Sequence, residues 1–206
     1  MPGPMTPLLA LVLLAVPGMG GPPPAPELRG LWVVRTALTS PQAVDRAVDQ
    51  AQQAGFNALF VQVRGRGDAF YRSALVPRSP LLEPQPASFD PLARLIERAR
   101  QRGLEVHAWI NLLLVASFGQ GLPTGHIAAE HPEWLMVSKA SARLALSEKG
   151  SRLLRTLRQD RGDGDIEGFY LSPAVPEVGE HLEKVVRELI RGYPVDEIMG
   201  RLNFGE

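Results

Sequence analysis

Compact apolar runs alternate along the chain with segments in which apolar residues recur every three or four positions. The runs at residues 31–34, 58–63 and 104–110 predict buried strands, and residues 195–198 predict the beginning of a fourth. The periodic segments between them predict helices. Strands that alternate with helices indicate an α/β fold built on a parallel sheet.

Capping residues, prolines and glycines at the expected helix ends support this division into strands and helices. Ser40 and Asp90 each stand before a proline, which is typical of an N-cap followed by the first helical position. Gly55 and Gly103 predict the ends of these two helices. A third helix is predicted from about Pro176. The apolar positions expected to face the core are Val44, Ala47, Val48 and Ala51 in the first helix, Leu92, Leu95, Ile96 and Ala99 in the second, and Val178, Leu182, Val185, Val186, Leu189 and Ile190 in the third.

The connections between these elements are unequal in length. The helix-to-strand joints are short, whereas the strand-to-helix joints after Val63 and Ile110 are very long. In a (β/α)8 barrel of the TIM type, the strand-to-helix loops build the active site. Four strands are half of the eight that close such a barrel. The pattern therefore predicts the N-terminal half of a (β/α)8 barrel with long loops on its catalytic face.

The first residues have a different composition. Residues 8–16 are apolar but too few to span a bilayer stably, and small residues follow them. This favours a secretory signal peptide over residues 1–20, with an uncleaved anchor as the alternative. Residues 21–28 then predict a proline-rich linker, and residues 29–206 the folded domain. We expect an exported protein with no stable membrane span after cleavage.

Overall composition narrows the class of protein. The chain has 206 residues, of which 45% are hydrophobic and 21% charged, and this balance is typical of a globular domain. Lys and Arg number 22, and so do Asp and Glu, so no net charge attracts nucleic acid. The chain contains no cysteine, which excludes disulfides and thiolate chemistry.

Two groups of residues at the ends of predicted strands have candidate binding chemistry. After the second strand, Arg64 and Asp68 offer donors and acceptors for sugar hydroxyls, and Tyr71 offers a ring for stacking. The alternative is a charged pair that braces a long loop. On the third strand, alternation sends His107, Trp109 and Asn111 to one side, where we expect them to face the barrel axis near its mouth.

Other chemistries have no support in the sequence. It has no dinucleotide-binding glycine loop, no phosphate-binding lysine motif and no serine-hydrolase elbow. The histidines show no paired spacing of metal ligands. We therefore predict neither a cofactor nor a required metal.

The chain closely resembles the glycosyl-hydrolase-like 10 family, also called domain of unknown function 187. The matching stretches follow one another in family order over most of residues 29–198. They are Arg29–Trp32 (RGLW), Phe56–Ala58 (FNA), Gln62–Tyr71 (QVRGRGDAFY), Asp90–Leu92 (DPL), Glu105–Asn111 (EVHAWIN), His131–Leu135 (HPEWL) and Tyr170–Val178 (YLSPAVPEV).

The resemblance implies an exported bacterial protein with a (β/α)8 barrel that cleaves glycosidic bonds in polysaccharides, in some members those of cell-wall glycan. Such hydrolysis needs two carboxyl groups. The family's fourth strand reads approximately V-D-G-I-H-x-D, and its last Asp is the implied catalytic position. Here Met199-Gly200-Arg201 stands in place of His-x-Asp. The catalytic residues of this chain are therefore unknown.

Three hypotheses follow. The chain is a fragment of a glycoside hydrolase whose remaining strands are encoded elsewhere, for instance beyond a frameshift. Alternatively, it is a non-catalytic glycan-binding protein, stabilised as a homodimer through exposed strand edges. The third hypothesis is a non-functional product that is insoluble or degraded when expressed, because sheet edges and a sheet face stay uncovered.

Overall fold

A computed structural model describes residues 27–119, 121–139, 141–159 and 167–202. The predicted signal peptide and most of the predicted linker lie outside these residues. The strands are β1 (Gly30–Val33), β2 (Ala58–Arg64), β3 (Glu105–Asn111), β4 (Leu114–Ser117), β5 (Gly168–Tyr170) and β6 (Glu197–Arg201). The helices are α1 (Pro41–Gln53), α2 (Pro91–Gln101), α3 (Ile127–Glu130), α4 (Ala142–Ser147), α5 (Gly150–Gln159) and α6 (Pro176–Gly192). Short 3-10 turns occur at Arg35–Leu38, Pro80–Leu82 and Pro132–Trp134.

The main sheet has four strands in the order β1-β2-β3-β6, and every neighbouring pair is parallel. This confirms the predicted α/β fold with a parallel sheet. The last strand begins at Glu197, two residues later than the apolar run suggested. Asp196 lies just before it, and its carboxylate accepts a hydrogen bond from the Val106 amide at 2.7 Å.

The predicted helix boundaries follow from capping contacts. The Ser40 hydroxyl accepts a hydrogen bond from the Ala43 amide at 3.1 Å, and the Asp90 carboxylate accepts one from the Ala93 amide at 3.0 Å. Gly55 and Gly103 follow the two helices with φ angles of 78° and 67°, in the left-handed region that favours glycine. The start of α6 at Pro176 is confirmed as well.

One face of the main sheet is covered by α1, α2 and α6. Strand residues on this face alternate with those on the other, and they pack with the inner residues of the helices in one buried cluster. Its strand members are Val33, Leu59, Val61, Val63, Val106, Ala108 and Ile110, and its helix members include Val48, Leu92, Leu95, Val185 and Leu189. Burial of these side chains stabilises the parallel sheet.

The long connection from β3 to α6 contains a small layer of its own. Strands β4 and β5 pair antiparallel, and α3 and α5 pack with them in a second buried cluster that includes Leu114, Val115, Leu153, Leu157 and Phe169. Gly168 is required at this point, because a Cβ there would lie 1.8 Å from the carbonyl oxygen of Ala116. The sequence patterns did not predict this layer.

Within the described part of the chain, no helix combines the length and the apolar composition needed to cross a membrane.

Candidate functional site

The face of the main sheet opposite the helices carries a row of aromatic side chains. The Trp32 ring lies 4.9 Å from Phe60 and 5.1 Å from Trp109, measured between centroids, and the Phe60 ring lies 4.9 Å from that of His107. Strand register places Trp32 beside Phe60 and Phe60 beside His107. Trp32 is 54% exposed, so no element among the described residues fully covers this face. We call these four residues the aromatic face.

His107 lies between two carboxylates on the aromatic face. Its Nδ1 is 3.2 Å from the Glu197 carboxylate, and its Nε2 is 3.3 Å from that of Glu105. Glu105 begins β3 and Glu197 begins β6, so this group lies toward the amino ends of the strands. The expected alternation is therefore present, but His107 lies deeper than the mouth where we expected it.

The carboxyl ends of β2 and β3 are joined by Arg64 and Asn111. The Arg64 Nη1 donates hydrogen bonds to the carbonyls of Asn111 and Leu112, the latter at 3.3 Å. In return, the Asn111 amide nitrogen donates to the Gly65 carbonyl at 2.9 Å. Both side chains are buried, Arg64 to 1% exposure. They fix the start of the loop that follows β2.

Asp68 and Tyr71 are buried farther along the same loop. The Asp68 carboxylate accepts a hydrogen bond from the Arg66 amide at 2.9 Å, which tightens the turn. Tyr71 belongs to the cluster between the sheet and its helices, and its ring meets Tyr193 edge-on at 5.8 Å. Burial raises the pKa of Tyr71 to about 12. The structure thus places these two residues apart from the aromatic face.

Several residues outside the predicted site connect this loop to the β4–β5 layer. Arg66 donates to the Ser117 hydroxyl at 2.9 Å and pairs with Glu167, while His126 Nε2 donates to the Arg66 carbonyl at 2.8 Å. Burial lowers the pKa of His126, so the neutral ring that makes this contact is favoured. Linear spacing gives no indication of these contacts, since His126 lies 60 residues from Arg66.

The carboxyl end of β6 completes the edge of the sheet. Register places Met199 opposite Trp109, and Arg201 opposite Asn111. The guanidinium carbon of Arg201 lies 5.8 Å from the centroid of the Trp109 ring, within the range of a cation–π contact. Among the described residues, no group of three or more His, Cys, Asp or Glu side chains is arranged to hold a metal ion.

Solved structures share this arrangement of a parallel sheet and flanking helices. Alpha-L-fucosidase isoenzyme 2 from Paenibacillus thiaminolyticus superimposes with a TM-score of 0.56 at 19% identity, over 86% of this chain and 24% of that chain. A hypothetical protein from Ruminiclostridium thermocellum ATCC 27405 superimposes with a TM-score of 0.55 at 15% identity, over 85% and 78% of the two chains. The protein therefore has an α/β fold that also occurs in glycoside hydrolases.

Sequence comparison gives the family. The chain belongs to the glycosyl hydrolase-like 10 family, whose sequence model matches residues 27–200. The family predicted from the motifs is thus confirmed. Relatives of the chain include glycosyl hydrolase YngK of Bacillus subtilis, which is 25% identical over 93% of this chain. Glycosyl hydrolase DigH of Escherichia coli is 24% identical over 90% of this chain. The chain spans 36% of the length of YngK and 45% of that of DigH.

Proposed function

We propose that this chain binds a polysaccharide and forms the N-terminal half of a (β/α)8 barrel of the glycoside hydrolase type. The aromatic face is the observation that carries the proposal. Aromatic rings stack on the apolar faces of sugars, and further strands that closed the barrel would enclose these rings around its axis. Bacterial cell-wall glycan is the substrate we favour, in keeping with the predicted export of the protein.

Within this proposal, the residues have three roles. The exposed ring of Trp32 meets the glycan first, and His107 and Trp109, each 8% exposed, lie beside it and contact the glycan at their exposed edges. Asp68, Tyr71 and Asn111 support the loop and strand ends that shape the binding site, while Arg64, the last residue of β2, is available to a ligand through its unpaired Nε and Nη2. Family membership and the relatives named as glycosyl hydrolases support glycan as the ligand class.

The hypothesis of a glycoside hydrolase fragment and the hypothesis of a glycan-binding protein differ in whether the chain catalyses hydrolysis. A glycoside hydrolase uses two carboxyl groups, and barrel active sites lie at the carboxyl ends of the strands. At that end of β6, the side chain opposite Asn111 is Arg201. The carboxylates of Glu105 and Glu197 share the aromatic face, but they lie at its amino end and contact His107. Within the described part of the chain, these positions support glycan binding, and hydrolysis would need a second carboxyl group in addition to those at the strand ends.

The experiment is a sedimentation assay of the full chain with insoluble cell-wall glycan freed of peptides, with cellulose for comparison. We expect binding to the cell-wall glycan, a reduction of about three- to tenfold in Trp109→Ala, and a reduction in the more exposed Trp32→Ala. Ile190→Ala is the matched control. The helical pattern placed Ile190 on the core-facing side of the helix, which is wrong, because Ile190 is 62% exposed on α6. Equal binding by all variants would contradict the proposal, and release of reducing ends by the wild-type chain would favour the hydrolase over the binding protein.

The sheet edges support a further part of the proposal, a homodimer. Strands β1 and β6 are the two edges of the main sheet, and no strand of the described residues pairs with the outer side of either. Strand pairing between two copies would satisfy the backbone groups at these edges. Sedimentation equilibrium should then show a concentration-dependent dimer, and a monomer at every concentration would argue against it.

A further inference from the structure

A small cavity lies beside the loop that follows β2, and Arg64 forms part of its wall. Its volume is about 120 Å³, roughly that of four water molecules in the liquid. The loop after β2 adds Leu75, Val76 and Pro77 to the wall, and the β3–α6 connection and α6 add polar and aromatic side chains, among them Glu130, His131, Trp134 and His181. The cavity is therefore built from segments far apart in the chain.

The Arg64 guanidinium presents one unused edge. Its Nη1 donates to two backbone carbonyls, which fixes the plane of the group. Its Nε and Nη2 are buried, and neither has a hydrogen-bond partner among the described residues. These two nitrogens form the side of the guanidinium that binds both oxygens of one carboxylate. An unpaired buried donor is costly, so this edge favours a ligand.

The charges around the cavity leave Arg64 without a counter-ion. Among the described residues, no carboxylate forms an ion pair or a hydrogen bond with Arg64. Asp68 is near enough to favour its charged form, but its carboxylate accepts a hydrogen bond from the Arg66 amide. Burial and the proximity of Arg64 lower the pKa of His181 to about 4, so His181 is neutral at neutral pH. Glu130 is the carboxylate in the wall, and its residue is exposed to solvent.

We infer that this cavity binds the carboxylate of an acidic sugar, which the Nε and Nη2 of Arg64 hold in a bidentate pair. The inference rests on the proposed function insofar as the carboxylate is carried by a glycan. Trp134 supports the sugar as its source. The Trp134 ring stacks on His131 at 3.9 Å between centroids with an interplanar angle of 11°, and both residues are partly exposed in the cavity wall. A partly exposed aromatic pair beside a buried cation suits a sugar ring that carries an acid group.

Thermal unfolding of the full chain tests the inference, with sodium chloride replaced stepwise by the salt of each probe at constant ionic strength. The probes are sodium acetate and sodium glucuronate, with glucose as the neutral sugar. A ligand that binds the folded state raises Tm. We expect both carboxylates to raise it, glucuronate at lower concentration than acetate, and glucose to have no Arg64-dependent effect.

Arg64→Lys keeps the positive charge but removes the paired donors Nε and Nη2. Acetate and glucuronate should therefore both bind at least about tenfold more weakly. Arg78→Lys is the matched control. The Arg78 guanidinium donates to the carbonyls of Leu82, Pro86, Ala87 and Phe89 and offers no free edge to a ligand. This control should unfold at lower temperature but retain carboxylate affinity within roughly twofold.

Glu130→Gln covers the case in which Arg64→Lys does not fold, because Glu130 is exposed. Removing its negative charge from the cavity wall should strengthen acetate binding about two- to fivefold. If Glu130 were instead the internal partner of Arg64, this variant would lose stability and acetate would fully restore it. That result would overturn the inference, as would carboxylate responses that are equal in wild type and Arg64→Lys.

The probes also separate this inference from the proposed function. A response to acetate without one to glucuronate would mean that the cavity takes free small carboxylates, which overturns the acidic sugar as the source. Cell-wall glycan binding that depends on Trp109, together with no response to either carboxylate, would leave the proposed function intact and overturn the inference alone.

Discussion

The two faces of the main sheet are made by alternate residues of the same strands, yet they differ in chemistry. On β3, Ala108 and Ile110 are buried against the helices, whereas His107 and Trp109 lie on the aromatic face. The helix-covered face is aliphatic and closely packed. The aromatic face carries aromatic rings and a histidine, with two carboxylates beside them. Charged and polar groups of this kind are uncommon in a packed core. The difference teaches that the covered face accounts for most of the packing, while the aromatic face, which is exposed chiefly at Trp32, has the side-chain chemistry on which the proposed recognition depends.

The largest expected effect comes from deleting a side chain on the covered face. Leu59 is fully buried among the helices, so Leu59→Ala should lower the free energy of unfolding by about 2–5 kcal/mol. Trp32→Ala removes a larger but half-exposed side chain from the aromatic face and should cost about 1 kcal/mol or less. Urea denaturation measures both. Similar losses would mean that the aromatic face is also covered in solution, which would break the comparison.

The covered face was predictable from the sequence for physical reasons. Helical periodicity and buried strands both arise from burial on a single side, and caps such as Ser40 and Asp90 act over only a few residues. Alternation on β3 likewise separated His107 and Trp109 from Ala108. These features depend on local sequence alone, so a single chain contains enough information to place them.

The β4–β5 layer, the surroundings of His107 and the free edge of Arg64 depend on contacts between residues that are distant in the sequence. Strands β4 and β5 have four and three residues, too few for a period to be visible, and they are separated by more than fifty positions. One of the two carboxylates beside His107 belongs to Glu197, which lies 90 residues away. The free edge of Arg64 results from carbonyls that lie 47 and 48 residues away. No local pattern encodes such pairings.

Acid should lower the free energy of unfolding through His181, which lies in the wall of the cavity beside Arg64. Because the folded pKa of His181 is about 4 and its unfolded pKa is about 6.5, the unfolded chain binds more protons between these values. The His181 contribution is therefore complete above about pH 6.5 and is lost as the pH falls toward about 4. Partial exposure limits the effect to the order of 1 kcal/mol.

Urea denaturation of wild type and His181→Gln across this pH range measures that contribution. The difference between the two proteins should narrow or reverse as the pH falls, because the variant has no proton to gain at this position. The carboxylates titrate in both proteins, so their contributions cancel in the difference between the two free energies of unfolding. A difference that stays constant with pH would show that His181 is not held neutral by the fold.

The smallest expected effect lies on the aromatic face, at the contact between Arg201 and Trp109. Arg201 is exposed, and its guanidinium adds about 0.5–1 kcal/mol through the Trp109 ring. Arg201→Ala should lower stability by that amount and shift Trp109 fluorescence, measured against the same substitution in a Trp109→Phe background. Arg201→Lys should retain part of both effects. If Arg201→Ala instead destabilised the protein as much as Leu59→Ala, this edge of the aromatic face would be structural core and not a surface open to a glycan.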